Sequence, residues 1–226
     1  MRAADEFDDW AASGRDRGME ERHWHTAKHI LARMPIEPGE VVLDLGTGSG
    51  YALRALADAR AIGRGYGLDG SPRMLRNAAG YTDDATVGFV AGDFDALPFA
   101  DGRVDHVFSM EAFYYAADPV HTVEEVARVL RPGGTFHCGV NYFAESEHTH
   151  GWQDDIGLEM TLWDRAEYRE AFRAGGLHVA AQDTIPDREV DIPPAEAFPT
   201  EDWERRADMV DRYRTWGTLL TVGVAP

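Results

Sequence analysis

The order of apolar and helical stretches predicts an α/β fold: a doubly wound, seven-stranded, mostly parallel sheet with helices on both faces and an N-terminal helical cap. Three observations predict it. Short apolar runs of strand length alternate with amphipathic stretches of helix length. The runs carry little polar alternation, as strands buried on both faces do. The first run ends in three closely spaced glycines, which are followed at once by a helix-forming stretch.

Each element has its own signal. Phe7 to Met34 reads as helical, with breaks near Ser13-Gly14 and at Gly18, and Pro35 and Pro38-Gly39 end it. Val41 to Leu45 is a buried parallel strand, and Ala52 to Ala61 is a helix. Gly65 to Leu68 is a second strand ending at Asp69; Ser71 then caps a helix whose first turn carries Pro72. Thr86–Ala91 and Val104–Ser109 are the third and fourth strands. Pro119–Leu130 is a helix closed by Arg131-Pro132-Gly133-Gly134, and Gly134–Val140 is the fifth strand. Arg165–Ala174 is a helix closed by Gly175-Gly176, and Leu177–Asp183 and Thr218–Val224 complete the sheet. At 226 residues this is one domain, 1–226, with residues 1–34 as the cap and 141–164 as an insert after strand five.

Composition narrows the functions. A hydrophobic fraction of 44% is that of an ordinary globular chain. No apolar run reaches the roughly 18 residues that a membrane helix needs, and the N-terminus lacks a secretory pattern. The expectation is a soluble, cytoplasmic protein without membrane insertion. The single cysteine, Cys138, excludes an internal disulfide and a cysteine metal site, and its place in a strand makes it a buried small residue. Forty acidic residues face 22 basic ones, for a net charge of −18, and Lys28 is the only lysine. Spread along the chain, these acids resemble the surfaces of salt-accumulating halophiles, and they repel phosphate backbones, which argues against a nucleic-acid partner.

Ligands on doubly wound sheets bind beyond the carboxyl ends of the strands, near the point where strand order reverses. The glycines there read G-x-G-x-G at Gly46, Gly48 and Gly50, not the G-x-G-x-x-G of dinucleotide enzymes. Asp69, 19 residues past Gly50, can accept hydrogen bonds from ribose hydroxyls, or else cap the next turn. Asp93, after the third strand, can accept from an exocyclic amine, or else is a loop aspartate.

With those residues in place, Val42 to Gly50 resembles motif I of class I S-adenosylmethionine-dependent methyltransferases, which are Rossmann-like. Gly67 to Leu75, Gly92 to Phe99, Arg103 to Ala112 and Val129 to Thr135 resemble the family's later segments. The set is most similar to the small-molecule group that includes ubiquinone/menaquinone-biosynthesis enzymes. The resemblance implies S-adenosylmethionine as cofactor. It implies Asp44 and the Gly46 carbonyl at the methionine amino group and Asp69 at the ribose. It implies Asp93 and the Phe94 N–H at the adenine, with Ser109 and Met110 at the methionine end. Thr47, Gly48, Gly50, Gly70, Met74 and Gly92 lie in the same segments and join the expected cofactor set.

The expected reaction is in-line methyl transfer to a small-molecule acceptor, for which alignment is the protein's main task. No catalytic residue is fixed by the motifs. Glu111, Tyr114, Tyr115 and His25 are candidates at the acceptor, with Phe113 as packing. The 141–164 insert reads as too polar and irregular for core, and thus as a cap or lid or else as a plain surface excursion. His25 and His29 share a helix face but lack the intervening glutamate of a zinc site, so no metal is expected. Too few cysteines exist for arsenic-type methylation, and the segment after strand four lacks the pattern of DNA amino-methylation. A non-catalytic S-adenosylmethionine-binding scaffold and a nucleotide-dependent oxidoreductase stand as alternatives.

Overall fold

The computed structural model describes residues 3–59 and 61–226. Seven strands form one sheet: β1 (Val41–Leu45), β2 (Arg64–Asp69), β3 (Val87–Ala91), β4 (Val104–Met110), β5 (Leu130–Val140), β6 (His178–Ile185) and β7 (Thr218–Val224). Their order is β3-β2-β1-β4-β5-β7-β6. Every pairing from β3 to β5 is parallel, and β7 runs antiparallel to both β5 and β6. The chain moves outward from β1 to β3, then returns to place β4 on the other side of β1. The reversal of strand order therefore falls between β1 and β4.

Alternation along β1 sends its side chains to two different cores. Leu43 and Leu45 enter a cluster with Val123, Val126, Phe136 and Phe172, beneath α5 (Pro119–Val129) and α7 (Arg165–Ala174). Val42 enters the other, with Ile30, Leu53 and Leu56, beneath α2 (Arg15–Leu31) and α3 (Tyr51–Asp58). Both faces are covered, so the strands read as continuous apolar runs. Cys138 is buried in the first cluster.

Side-chain caps set several helix starts. The Ser71 hydroxyl accepts from the Met74 N–H at 3.1 Å and opens α4 (Pro72–Tyr81), with Pro72 in the first turn. Asp164 and Glu167 form a reciprocal capping box at the start of α7. Each such cap contributes about 1 kcal/mol.

Three expectations need correction. The N-terminal region is two helices, α1 (Ala3–Ala12) and α2, broken at Ser13–Gly14 but continuous through Gly18, whose backbone stays helical. Met1 and Arg2 of the expected cap lie outside the described residues, as does Arg60 of the helix expected to reach Ala61; α3 closes at Asp58. The insert supplies core as well as surface: Tyr142, Phe143, Leu158 and Met160 are buried. Its short helix α6 (Trp152–Ile156) follows a 3-10 turn over Glu147–Thr149. Residues 186–217, for which the sequence carries no expectation, hold α8 (Arg206–Val210), which runs into a π-helical turn over Asp211–Trp216. No helix among the described residues is long and apolar enough to cross a membrane.

Candidate active site

The carboxyl ends of β1 to β4 open into one cavity of about 1470 Å³, roofed by α1 and α2 and walled on one side by residues 153–161. Its floor begins at the glycine turn. The Gly46 and Thr47 N–H groups both donate to the Leu68 carbonyl at 2.9 Å, which locks the turn onto β2. Gly46 has φ +78°, and a Cβ there would fall 2.2 Å from the Ala112 Cβ, so both backbone and space require glycine. Gly48 has φ +52°, and its missing side chain faces open space with nothing within 4 Å, as a ligand's approach demands.

Asp44 sits beneath this turn, 3% exposed, and accepts from the Thr47 hydroxyl at 2.7 Å. Burial pushes its carboxyl up to about 7; the Thr47 hydrogen bond opposes this and the neighbouring Asp69 adds to it. Asp69 accepts from the Gly48 N–H and the Ser71 N–H, each at 2.9 Å. Burial raises its carboxyl too, against those two backbone donors. Asp93 is exposed at the rim, beside Phe94. Three carboxylates along one trough, with open backbone at Gly48, suit a ligand that presents a cation at one end and hydroxyl and amine donors at the other.

At the far end stands Glu111, the only non-glycine residue of positive φ among those described, at +55°. Such a backbone costs about 1–3 kcal/mol and is held by its surroundings. The Glu111 N–H donates to the Gly139 carbonyl at 2.9 Å, and its carboxylate accepts from the Tyr114 hydroxyl at 3.1 Å and from the Asn141 N–H. Burial pushes this carboxyl up to about 7, the charge of Arg212 pulling the other way. The Tyr114 and Tyr115 rings lie 4.6 Å apart, and Phe7 of α1 meets Tyr115 edge-on at 5.1 Å.

Of the residues expected from the sequence, Asp44, Gly46, Thr47, Gly48, Asp69, Gly70, Met74, Gly92, Asp93, Phe94 and Met110 line this one cavity, as do Glu111, Tyr114 and Tyr115. Three do not. The Ser109 hydroxyl turns away and donates to the Leu45 carbonyl at 2.8 Å. Gly50 serves packing: a Cβ there would lie 2.8 Å from the Phe89 ring. His25 sits on the opposite side of α2, 3.1 Å from the Asp187 carboxylate, and His29 is exposed. No group of three or more His, Cys, Asp or Glu among the described residues could hold a metal.

Sequence reasoning missed the α2 lining: Asp16, Met19, Glu20 and His23, together with Tyr51. The signal was present. Positions 16, 20, 23, 27, 30 and 31 form one helix face; the later ones are apolar core, so the earlier polar ones turn to the same inner side, Asp16 buried and Glu20 and His23 half-buried. His23 is held near 4 by burial, with Arg22 adding to the effect, and is neutral at pH 7. The Tyr51 hydroxyl is buried without a hydrogen-bond partner.

This trough and sheet order define a class, and the chain belongs to it: it is a member of the S-adenosylmethionine-dependent methyltransferases, with S-adenosylmethionine as cofactor. The methyltransferase-domain family matches residues 43–138. A chain from the complex between the Haloferax volcanii Trm112 methyltransferase activator and a protein described as a methyltransferase is 68% identical. It covers 97% of each chain with a TM-score of 0.96. Cycloartenol-C-24-methyltransferase 1 of Oryza sativa subsp. japonica is 34% identical over 159 residues, 65% of this chain and 45% of that protein. Malonyl-[acyl-carrier protein] O-methyltransferase of a Marinomonas strain is 35% identical over 108 residues, 47% of this chain and 40% of that protein. The chain spans less than half the length of these curated relatives.

Proposed function

We propose that this chain, acting as one catalytic domain over residues 1–226, transfers the methyl group of S-adenosylmethionine to a small-molecule acceptor that enters at Glu111, Tyr114 and Tyr115. The observation that carries this reading is the single cavity: at about 1470 Å³ it exceeds the roughly 300–1,000 Å³ of a one-ligand pocket. The motif set's likeness to ubiquinone/menaquinone-biosynthesis enzymes supports a small acceptor. In this reading Asp69 holds the ribose hydroxyls and Asp93 and Phe94 face the adenine. Asp44 and the Gly46 carbonyl receive the methionine amino group, and Thr47, Gly48, Gly70, Met74, Gly92 and Met110 shape the trough. The cofactor supplies an activated methyl on a sulfonium. The chain's part is to align the acceptor and exclude water, a contribution of several kcal/mol where orientation is good.

The 68% identical relative in complex with the Trm112 activator supports a protein partner of the same kind here, which the sequence reading did not foresee. Co-expression with a Trm112-type protein and co-elution in gel filtration tests it; separate elution at all salt concentrations removes the partner. The net charge of −18 supports work in the cytoplasm of a salt-accumulating cell.

Calorimetric titration in molar KCl with S-adenosylmethionine, S-adenosylhomocysteine and NAD tests the cofactor reading. Micromolar binding of the first two alone is expected. Transfer of labelled methyl across an acceptor library tests the rest. Tight binding without any transfer would favour a non-catalytic scaffold, and binding of NAD alone an oxidoreductase.

A further inference from the structure

The lining of the cavity is one-sided in charge. Asp16, Glu20, Asp44, Asp69, Asp93, Glu111 and Glu159 contribute seven carboxyl groups, and no lysine or arginine is among the described lining residues. With 22 basic residues against 40 acidic ones in the chain, the acidic surplus of the molecule does not by itself strip a lining of every cation. His23 does not supply one, because burial keeps it neutral. Some of the acids are already matched. Glu20 holds Arg54 at 2.7 Å, and Asp44, Asp69 and Asp93 answer the cofactor. Glu111 accepts from the Tyr114 hydroxyl and the Asn141 N–H and feels the charge of the buried Arg212, but no salt bridge among the described residues holds it, and Glu159 is exposed; Asp16 is 1% exposed, accepts from Asn77 and Tyr81 at one carboxylate oxygen and has no partner at the other. The Tyr114, Tyr115 and Phe7 rings stand at the Glu111 end, and ring faces attract cations.

We propose that the acceptor is a protonated amine, drawn in by this all-acidic, ring-walled cavity, and that Glu111 takes its proton so that nitrogen is methylated. The inference rests on the methyl-transfer reading above. The ammonium group loses one N–H proton to a free lone pair of the Glu111 carboxylate. The nitrogen lone pair then forms the new C–N bond as the C–S bond breaks, and that bond's electron pair stays on sulfur. The sulfonium becomes a neutral thioether, and the product leaves as a methylated ammonium. An anionic acceptor, whether carboxylate or phosphate, finds no cation among the described lining residues, and the nearby Arg212 charge already acts on Glu111.

The test is calorimetry on the full chain saturated with S-adenosylhomocysteine. The probes are phenethylamine, spermidine and N-acetyl-lysine amide, set against 3-phenylpropionate and N-acetyl-glutamate amide. At least one amine is expected to bind ten-fold or more tightly than its carboxylate counterpart. Glu111→Gln is expected to erase that preference while still binding S-adenosylhomocysteine, which shows that the variant is folded. Binding of the lysine derivative alone would point to an amine borne on a protein; binding of phenethylamine or spermidine would point to a free one. Equal binding, preference for the carboxylates, or no amine binding in a chain that takes S-adenosylhomocysteine overturns the proposal and leaves the cofactor reading intact. Failure to bind S-adenosylhomocysteine strikes the cofactor reading first.

Discussion

Replacing Asp44 with asparagine should make the ligand-free protein more stable and the enzyme worse. The folded chain holds the Asp44 proton up to about pH 7, whereas the unfolded chain releases it near 3.8. Between those values the native state binds more protons than the unfolded state, so native stability falls as pH rises, and the loss is complete above about 7. At about 1.36 kcal/mol for each pH unit, the full loss approaches about 4 kcal/mol. With Asp44 3% exposed, little of this is screened by solvent. Asparagine keeps an oxygen to accept from the Thr47 hydroxyl and carries no charge. Recovering even roughly half, about 2 kcal/mol, raises Tm by about 4–8 °C in a chain of this size. The assay is thermal unfolding of both proteins without ligand from pH 4 to 8, where the gap should open with pH and level off above 7. S-adenosylhomocysteine affinity, measured alongside, should fall about ten-fold or more through loss of a charge-assisted hydrogen bond. Parallel Tm curves, or a less stable variant at pH 8, would refute the reasoning.

Asp69→Ala should weaken S-adenosylhomocysteine binding about ten-fold or more, since charged hydrogen bonds of about 1.5–3 kcal/mol are removed; unchanged affinity by calorimetry in a folded variant takes Asp69 out of the site. Gly46→Ala and Gly48→Ala should separate stability from binding. The first drives a methyl into Ala112 and should lower Tm by several degrees; the second meets no protein atom and should spare Tm more while still weakening the ligand. His25→Ala breaks the contact with Asp187 and should leave cofactor affinity unchanged, because His25 lies outside the cavity; a five-fold loss would return it to the site. Tm should rise between dilute buffer and molar KCl as the self-repulsion of a −18 chain is screened, and an unresponsive Tm would count against a halophilic surface.

The sheet and the carboxylates along the cavity floor were legible because each of their signals is local. A strand end, the turn after it and the next helix cap lie within a dozen residues, so Asp44, Asp69 and Asp93 announce themselves one strand at a time. The rest of the cavity wall is assembled from distant segments: α2, Glu111 after β4, and residues 153–161. The candidate His25 lies two positions beyond His23, and two positions on a helix turn a side chain about 200°. His23 faces the cavity and His25 faces Asp187. Ser109 was drawn in by its neighbours in sequence, although strand alternation sends it to the side of β4 opposite its neighbours. The π-helical turn at Asp211–Trp216 has no pattern of its own, because it rests on Arg212, which is buried and donates to the Gly217 carbonyl at 2.8 Å.

The contact between Gly46 and Ala112 carries a consequence for how this enzyme can change. The Gly46 turn and the segment after β4 meet through one methyl group, which occupies the volume where a side chain at Gly46 would have been. A larger residue at 112 would push directly on the Gly46 turn. On the proposed reading, change at Ala112 therefore disturbs the Gly46 turn together with the acceptor end, whereas Tyr115, Glu159 and Thr161 line the same cavity at half-buried or exposed positions.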